Sequence, residues 1–465
     1  MNRAVPLPLR RIAGCRMAPM IAIAAVAATS GAQAADLSEV YATALQNDPV
    51  LAAARASSES RREIVVQSRA ALLPRVSASA GSSQTTVTVD GLDQTGMPLP
   101  ERDVTRRSWG ANVSQTVIDV PRWFNYLGAR AGARQAEWDL ETASQQLITR
   151  VAETYLNVLR GQAALDSAVA SEEAVRRQLE QVQQRFDVGL VAITDVLDAK
   201  AEFDNIVVDR IQAESNQGIF FEGLRTLTGR PYEEIDPLAA SLPIVDPEPA
   251  SEEDWVETAL TGNYGIRAAQ EALVAAERDL ESRLAGHLPT ITASANYGVG
   301  SGSQAFGGFV IPDQTSANMT YSLNISAPIF SGLGTQSAVK QARHGLEQAR
   351  QQLIGQELVV ARDTRNLFRV VATEVVRVQA RAEAIKSAEA ALEATQTGYE
   401  VGTRNIVEVL LAQRRLFASQ FDYARSRYDY VINLLRLKEA AGALDERDVA
   451  ELNTFMDAAN PVRRL

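Results

Sequence analysis

Two stretches of the chain are near copies of one another: FDVGLVAITDVLDA at residues 186–199 and YEVGTRNIVEVLLA at residues 399–412. Both carry, at seven equivalent positions, an aromatic residue, an acidic residue, Val, Gly, Ile, an acidic residue and Val. The copies are far apart in the sequence, and each lies between two long polar segments. A shared turn glycine alone does not explain so long a match, which indicates that a large unit occurs twice.

The similarity extends outwards from this pair over nearly the whole chain. Four further pairs keep almost the same offset in numbering: Leu45 with Leu260, Leu73 with Leu288, Asn112 with Asn324, and Gly229 with Gly442. Because this offset changes so little over about 190 residues, the pattern indicates one duplicated unit and not a short-period solenoid. The predicted segments are a signal peptide (1–34), a first structural repeat (35–230), a connector with several prolines (231–252), a second structural repeat (253–442) and a C-terminal tail (443–465).

The N-terminal segment 1–34 has the pattern of a secretory signal peptide. A basic region with four arginines precedes the apolar run Met20–Ala28, and Ala32–Ala34 fits a cleavage site. Loss of this segment changes the formal net charge from −11 to −15 and removes Cys15, the one Cys of the sequence. Nucleic-acid binding is not expected because it needs a basic surface. Disulfides and thiolate chemistry are excluded for a mature chain without Cys.

Within each repeat the pattern predicts helix, strand, strand, long helix, turn and helix. The first helix is predicted over 37–72. The four strands, of about 10–12 residues, alternate small or polar residues with apolar ones, and this length suits a tilted strand that crosses a bilayer. Ordinary hairpins packed on a helical core are the alternative. The residues predicted to face lipid are Val113, Val117, Ile291, Leu323 and Ile325, with Trp109, Tyr297, Tyr321 and Phe330 at the membrane interfaces.

Two long proline-free stretches follow the strand pairs, at 122–186 and 334–398. Each predicts a helix about 97 Å long, with apolar residues such as Val151, Tyr155 and Val158 at coiled-coil spacing. A second helix of about 37 residues returns after each turn. Each repeat therefore predicts a long helical hairpin below a short strand hairpin.

Four strands per chain are too few to close on themselves. An open strand edge within lipid leaves unpaired N–H and C=O groups at several kcal/mol each, and closed barrels begin at about eight strands. We therefore expect the chain to associate as a ring. Three copies would supply twelve strands.

The sequence resembles the TolC-type outer-membrane channels of Gram-negative bacteria, the outer membrane efflux protein family. The resemblance covers essentially the whole mature chain. It rests on RFDVGLVAITDV at 185–196, GYEVGTRNIVEVLLA at 398–412, VAETYLNVL at 151–159, and API followed by FSGLGTQSAVKQAR at 327–343. It implies an α+β membrane protein: a homotrimer whose twelve-stranded transmembrane β-barrel continues into a twelve-helix periplasmic tunnel about 100 Å long.

The resemblance also implies a function and partners. The implied protein is a passive exit duct in the outer membrane, extending into the periplasm, for a tripartite efflux or type I secretion system. Its implied partners are outer-membrane lipid, a periplasmic adaptor protein and an inner-membrane transporter such as an ABC or a proton-driven pump. The cargo is not indicated by the sequence.

The resemblance assigns the two copied turns to the periplasmic tips of the helical hairpins, where the adaptor docks and the tunnel closes. The predicted tip turns are Val188, Gly189, Leu190, Val401, Gly402 and Thr403. The implied closing links join Arg404 to Thr194 and Asp195, partly across protomers, and Tyr399 to Asp195. They imply that Arg404→Ser or Tyr399→Phe raises the channel conductance. Surface ion pairs of little energetic value are the alternative for these residues.

An acidic constriction is implied at Asp198 and Glu408. The family has two acidic rings one helical turn apart in the second copy, whereas the second position here is Leu411. Asp198 occupies the equivalent place in the first copy. The resemblance therefore implies weaker block by multivalent cations than two complete acidic rings would give.

Enzyme function, a cofactor and a metal site are not expected. The two His residues, His287 and His344, are far apart in the sequence on predicted helices, and GVGSG from Gly298 lacks a nucleotide-binding pattern. The alternative function is that of a periplasmic coiled-coil adaptor or scaffold of an export system, since such proteins also carry long Ala- and Gln-rich hairpins. Heat-resistant trimers in outer-membrane extracts would distinguish the two.

Overall fold

The computed structural model describes residues 34–88, 90–91, 102–306 and 309–464. Almost all of the predicted signal peptide, including Cys15, lies outside the described residues, as does part of the loop between the first two strands. The elements in chain order are α1 Leu37–Asn47, α2 Pro49–Ala70, β1 Arg75–Val87, β2 Arg102–Ile118, α3 Val120–Asp187, α4 Ile193–Thr228, β3 Glu234–Ile235, α5 Glu252–Gly262, α6 Tyr264–Ala285, β4 Thr290–Phe306, β5 Phe309–Ser326, α7 Gly334–Glu400, α8 Ile406–Ala440, α9 Glu446–Asn453 and β6 Val462–Arg463.

The predicted first helix is in fact two helices, because the chain breaks at Asp48. Pro49 has no N–H and disfavours helical backbone at the preceding residue. Asp48 is accordingly extended, with φ −64° and ψ 118°, and its carboxylate accepts the Leu51 N–H at 2.8 Å. Asn263 makes the same break between α5 and α6 and accepts the Ile266 N–H at 3.1 Å. The prediction of one continuous helix is therefore wrong.

Four strands form one antiparallel sheet in the order β1-β2-β4-β5. They have 13, 17, 17 and 18 residues, longer than predicted because the hydrogen-bonded ladders continue into the polar residues beyond the alternating segments. Within the described residues β1 and β5 each pair on one side only. The sheet therefore has two open edges.

The sheet has one apolar and one polar face. One cross-strand row is apolar, consisting of Val76, Val113, Ala295 and Tyr321. The next row is polar, consisting of Ser77, Asn112, Asn296 and Thr320. The side chains of the apolar face are uncovered in a single chain, as in Tyr321 and Leu323, which are 75% and 67% exposed. A contiguous exposed apolar face marks an interaction with lipid or protein.

Most of the residues predicted to face lipid share the apolar face. By strand register this face contains Trp109, Val113, Ile291, Tyr297, Tyr321, Leu323 and Ile325. Val117 lies at a β-bulge, where the pairing shifts between Thr116 and Ile118. Phe330 lies beyond the end of β5 and is exposed.

The long helices form a wall below the sheet. α3 and α7 have 68 and 67 residues, which corresponds to about 100 Å each, and α4 and α8 return alongside them. Near the sheet, helix contacts run in the order α2, α3, α6, α7. Towards the tips they run α4, α3, α8, α7. The wall therefore ends at α2 and α4 on one side and at α7 on the other.

The main core lies partway along the helices, at a region that we call the waist: Ala35, β3, β6 and the part of α3 around Tyr155. β3 pairs with β6, and Ala35 bridges to Ile235. The Tyr155 side chain is fully buried and its hydroxyl donates to the Asp236 carbonyl at 2.6 Å. Burial raises the pKa of Tyr155 well above its usual range, so the hydroxyl stays a donor. The waist thus joins the N-terminal segment, the connector and the C-terminal tail.

Tyr155→Phe is expected to lower the free energy of unfolding by about 1–2 kcal/mol per chain, because the buried Asp236 carbonyl loses its donor. The check is urea unfolding of the detergent-solubilised protein. Tyr423→Phe is the matched control, since no hydrogen bond of the Tyr423 hydroxyl is found in the described part of the chain. Equal stability of the two variants would contradict a stabilising role for the hydrogen bond of the Tyr155 hydroxyl.

Candidate gate at the helical tips

The turn between α3 and α4 has a defined hydrogen-bond pattern. The Gly189 N–H donates to the Phe186 carbonyl and the Leu190 N–H to the Arg185 carbonyl, both at 2.8 Å. This is a Schellman motif, in which the residue after the helix cap is left-handed. Gly189 has a φ of 76°, where a residue with a Cβ is strained.

The turn between α7 and α8 repeats this pattern. The Gly402 N–H donates to the Tyr399 carbonyl at 3.1 Å, and the Thr403 N–H to the Gly398 carbonyl at 2.8 Å. Gly402 also has a φ of 76°. The two sequence copies therefore encode the same turn, which explains the glycines of the repeated stretch.

Apolar side chains project from both turns. Val188, Leu190 and Val401 are 70%, 74% and 70% exposed. Three large apolar side chains at the ends of two adjacent hairpins form a surface suited to a protein partner. They are three of the six residues that the sequence predicts as docking turns, and that role stays a prediction.

The two tips of one chain pack against each other. An apolar cluster, which we call the tip seam, draws residues from all four long helices. Its members are Val175, Val182, Val196, Ala199, Ile206, Tyr399, Ile406, Val409 and Leu410. The seam places the predicted gate residues within one small region.

Tyr399 contributes its ring to the seam. The side chain is 9% exposed, and its buried hydroxyl finds no hydrogen-bond partner among the described residues. The Arg185 guanidinium lies over the ring, with its Cζ 4.9 Å from the ring centroid. The hydrogen bond to Asp195 implied by the resemblance is therefore not made within one chain.

Arg404 pairs within its own repeat. Its guanidinium donates to the Glu408 carboxylate, four residues on along α8. Asn405 caps this helix by accepting the Glu408 N–H at 2.9 Å, which orients the first turn. Within the described residues no bond joins Arg404 to Thr194 or Asp195 of the same chain.

Thr194 and Asp195 lie in the first turn of α4. Asp195 is half-buried, Thr194 is exposed, and the helix has no side-chain cap at Ala192. A carboxylate in the first turn is favoured by the helix dipole. Asp198 follows one turn later and is exposed, whereas Glu408 on α8 already has a counter-charge in Arg404.

Two contacts near the tips that the sequence did not single out also join the hairpins. Arg185 stacks on Tyr399, and Glu202 of α4 forms an ion pair with Arg414 of α8. For the Arg185–Tyr399 contact, a comparison of the two copies contains a signal, because the first copy has Arg185 where the second copy has Gly398. Nothing in the local sequence signals the Glu202–Arg414 ion pair.

Leu411→Asp is expected to strengthen block by trivalent cations by about tenfold, because it adds a carboxylate one turn after Glu408 and close charges raise cation affinity. The check is titration of hexaamminecobalt(III) against channel current. Leu411→Asn, which adds a polar group without charge, is the control. Equal block of the two variants would contradict an acidic constriction at this level.

Among the described residues no helix has both the length and the apolar character needed to cross a membrane. In the same residues no group of three or more His, Cys, Asp or Glu side chains is placed to hold a metal ion.

Comparisons with known proteins agree with this architecture. The family profile described as outer membrane efflux protein matches residues 40–230 and 255–443. The chain is 34% identical over 445 residues to outer membrane protein TolC of Vibrio cholerae, covering 96% of this chain and 99% of that protein. It is 27% identical over 427 residues to the alkaline protease secretion protein AprF of Pseudomonas aeruginosa, covering 91% and 88%.

The fold is similar to that of the Campylobacter jejuni CmeC outer membrane channel. The TM-score is 0.73 at 18% identity, and the match covers 91% of this chain and 90% of that one. Since the family profile matches most of the chain and a relative is 34% identical along almost its whole length, the chain belongs to the outer membrane efflux protein family.

Proposed function

We propose that the protein is the outer-membrane exit duct of a tripartite efflux or type I secretion system in a Gram-negative bacterium. The observation that carries the proposal is a wall of strands and long helices with two open edges and one uncovered apolar face. Membership of the outer membrane efflux protein family supports it. The alkaline protease secretion protein among the relatives supports secretion, and the outer membrane efflux protein family supports efflux.

The two open edges favour a ring of identical chains. One edge consists of β1, α2 and α4, and the other of β5 and α7. Large exposed apolar side chains lie on the helices of both edges: Ile64, Val66, Leu197, Val208, Ile211, Leu358 and Val376. A neighbouring copy would bury them. Strand directions alternate across the sheet, so β5 of one copy can pair antiparallel with β1 of the next.

Three copies would give a closed barrel of twelve strands above a tunnel of twelve helices. The apolar face would meet lipid and the polar face would line the duct, as outer-membrane barrels require. On β5 the apolar face extends from Ala317 to Ile325, about 27 Å of strand, which is close to the apolar band of such barrels. In this assembly each chain is a duplicated protomer, with repeats at 35–230 and 253–442.

The gate is proposed to close between chains. α7 and α4 lie at opposite edges of one chain, so Arg404 after α7 would meet Thr194 and Asp195 of the next copy. The exposed tip turns would receive a periplasmic adaptor, and the adaptor would connect the duct to an ABC or proton-driven transporter of the inner membrane. The duct itself is passive, and no cofactor is proposed.

Disulfide crosslinking between the two sheet edges tests the assembly. In a Cys15→Ser background, Ser79→Cys in β1 is combined in turn with Asn318→Cys, Thr320→Cys and Ser322→Cys in β5. Within one chain these strands are about 14 Å apart, beyond the roughly 7 Å that a disulfide spans between Cα atoms. We expect at least one pair to give covalent trimers in outer-membrane extracts.

The matched control is Ser77→Cys with Asn112→Cys, which are cross-strand partners within one chain and would form an internal disulfide. If every pair of edge cysteines gives only monomers, and the protein is also a soluble monomer without detergent, the proposal is overturned. The scaffold alternative is then favoured.

A further inference from the structure

Tyr399 is joined to the first hairpin through its ring and not through its hydroxyl. The ring is buried in the tip seam beneath Arg185, while the hydroxyl has no partner in the described part of the chain. A guanidinium within about 6 Å of an aromatic centroid is attracted by the electron-rich face of the ring. The attraction needs the ring and the cation, but not the phenol oxygen.

Arg185 is held in position by the first turn. Its carbonyl accepts the Leu190 N–H at 2.8 Å, so its backbone is part of the Schellman motif. A cation in the last turn of α3 is also favoured by the helix dipole. The side chain is half-buried, which partly removes the solvent screening that weakens exposed charges.

The two copies differ at this position in a complementary way. The first repeat supplies the cation at Arg185, and the second has Gly398 in its place, directly before Tyr399. A Cβ at Gly398 would lie 2.7 Å from Cγ of Arg404, so a side chain there would require the Arg404 side chain to shift. The contact therefore has a single orientation, with the cation on the first hairpin and the ring on the second.

A second contact joins the same hairpins further from the tip. Arg414 of α8 forms an ion pair with Glu202 of α4, whose side chain is 18% exposed. With the tip seam between them, the Arg185–Tyr399 stack and the Glu202–Arg414 pair hold the second hairpin against the first within each chain. We call these two contacts the clasp.

We propose that the clasp, with Arg185 as its main positioning residue, keeps each pair of tips closed within one protomer, independently of the contact proposed for Arg404 between protomers. The inference rests on the proposed function as a gated duct. Opening a tip by moving α7 and α8 away from α3 and α4 must separate Arg185 from the Tyr399 ring.

Single-channel recording in planar bilayers tests the clasp with five variants and one control variant. Arg185→Gln and Tyr399→Leu are each expected to raise the closed-state conductance at least twofold, and the double variant no more than the larger single effect. Tyr399→Phe keeps the ring and is expected to leave the conductance unchanged, unlike the increase implied by the family resemblance. Arg185→Lys, which keeps the charge, is expected to restore part of the closure. Arg177→Gln, which removes an exposed arginine elsewhere on α3, is the control.

The outcomes separate the possibilities. If Tyr399→Phe opens the channel as far as Tyr399→Leu, the hydroxyl is the working group and the clasp is overturned. Arg185→Gln behaving like Arg177→Gln would also overturn it. Trimer yield and melting temperature in detergent check that each variant folds. If the wild-type protein forms no channel at all, the proposed function fails, whereas normal wild-type channels with unchanged variants reject the clasp alone.

Discussion

Replacement of Arg404 by serine is expected to raise the conductance of the isolated channel several-fold. The substitution removes the counter-charge of Glu408 within the chain and the proposed contact with Asp195 of the next copy. Exposed ion pairs contribute about 0.2–1 kcal/mol each. Three such contacts around a ring would change the closing free energy by about 0.6–3 kcal/mol, and every 1.4 kcal/mol is a tenfold change in the equilibrium.

The measurement is single-channel current at low voltage, with cation selectivity recorded in parallel. Selectivity for cations should rise as well, because three Glu408 carboxylates lose their partner. Arg415→Ser removes an exposed arginine further along α8 and serves as the control. Conductance and selectivity that match those of the control would contradict a gating role for Arg404.

Leu323→Lys is expected to abolish most of the assembled protein in the outer membrane. Leu323 lies on the apolar face of the edge strand β5. A lysine in the lipid-facing band costs up to about 2–4 kcal/mol, the value for the bilayer midplane, and each ring would carry three. We expect at least a tenfold loss of heat-resistant trimers in outer-membrane fractions.

Ser322→Lys is the matched control for this prediction. Ser322 directly precedes Leu323, but its side chain is on the polar face. Its hydroxyl oxygen is 2.7 Å from the hydroxyl oxygen of Ser294. A lysine there would enter the aqueous duct and is expected to reduce trimer yield less than twofold. Equal losses for the two variants would contradict the assignment of the faces.

Local sequence was enough to predict the long helices and the turns. Gly189 and Gly402 were found because one turn geometry needs the same residue at the same position in both copies. The alternation that separates the two faces of the sheet was also visible, since it depends on neighbouring residues only. The break at Asp48 was missed although Asp-Pro was present, because the helical pattern continues on both sides of it.

Contacts between hairpins were not predictable from local pattern. Arg185 and Tyr399 lie in different repeats of the sequence, and their stacking depends on how two independent hairpins pack. The Arg404–Glu408 pair has ordinary helical spacing and was open to prediction. The partner that the resemblance implies for Arg404, Asp195, would lie on another chain.

The waist determines how far a motion at one end of the protein reaches the other. Tyr155 and Arg185 lie on one helix, and the part between them is about 45 Å long. By simple lever geometry, a bend of about 6° at the waist would displace the far end by about 5 Å. Such a bend, unlike a rigid tilt of the whole helix, would leave the arm that carries the sheet in place while the distant end moves.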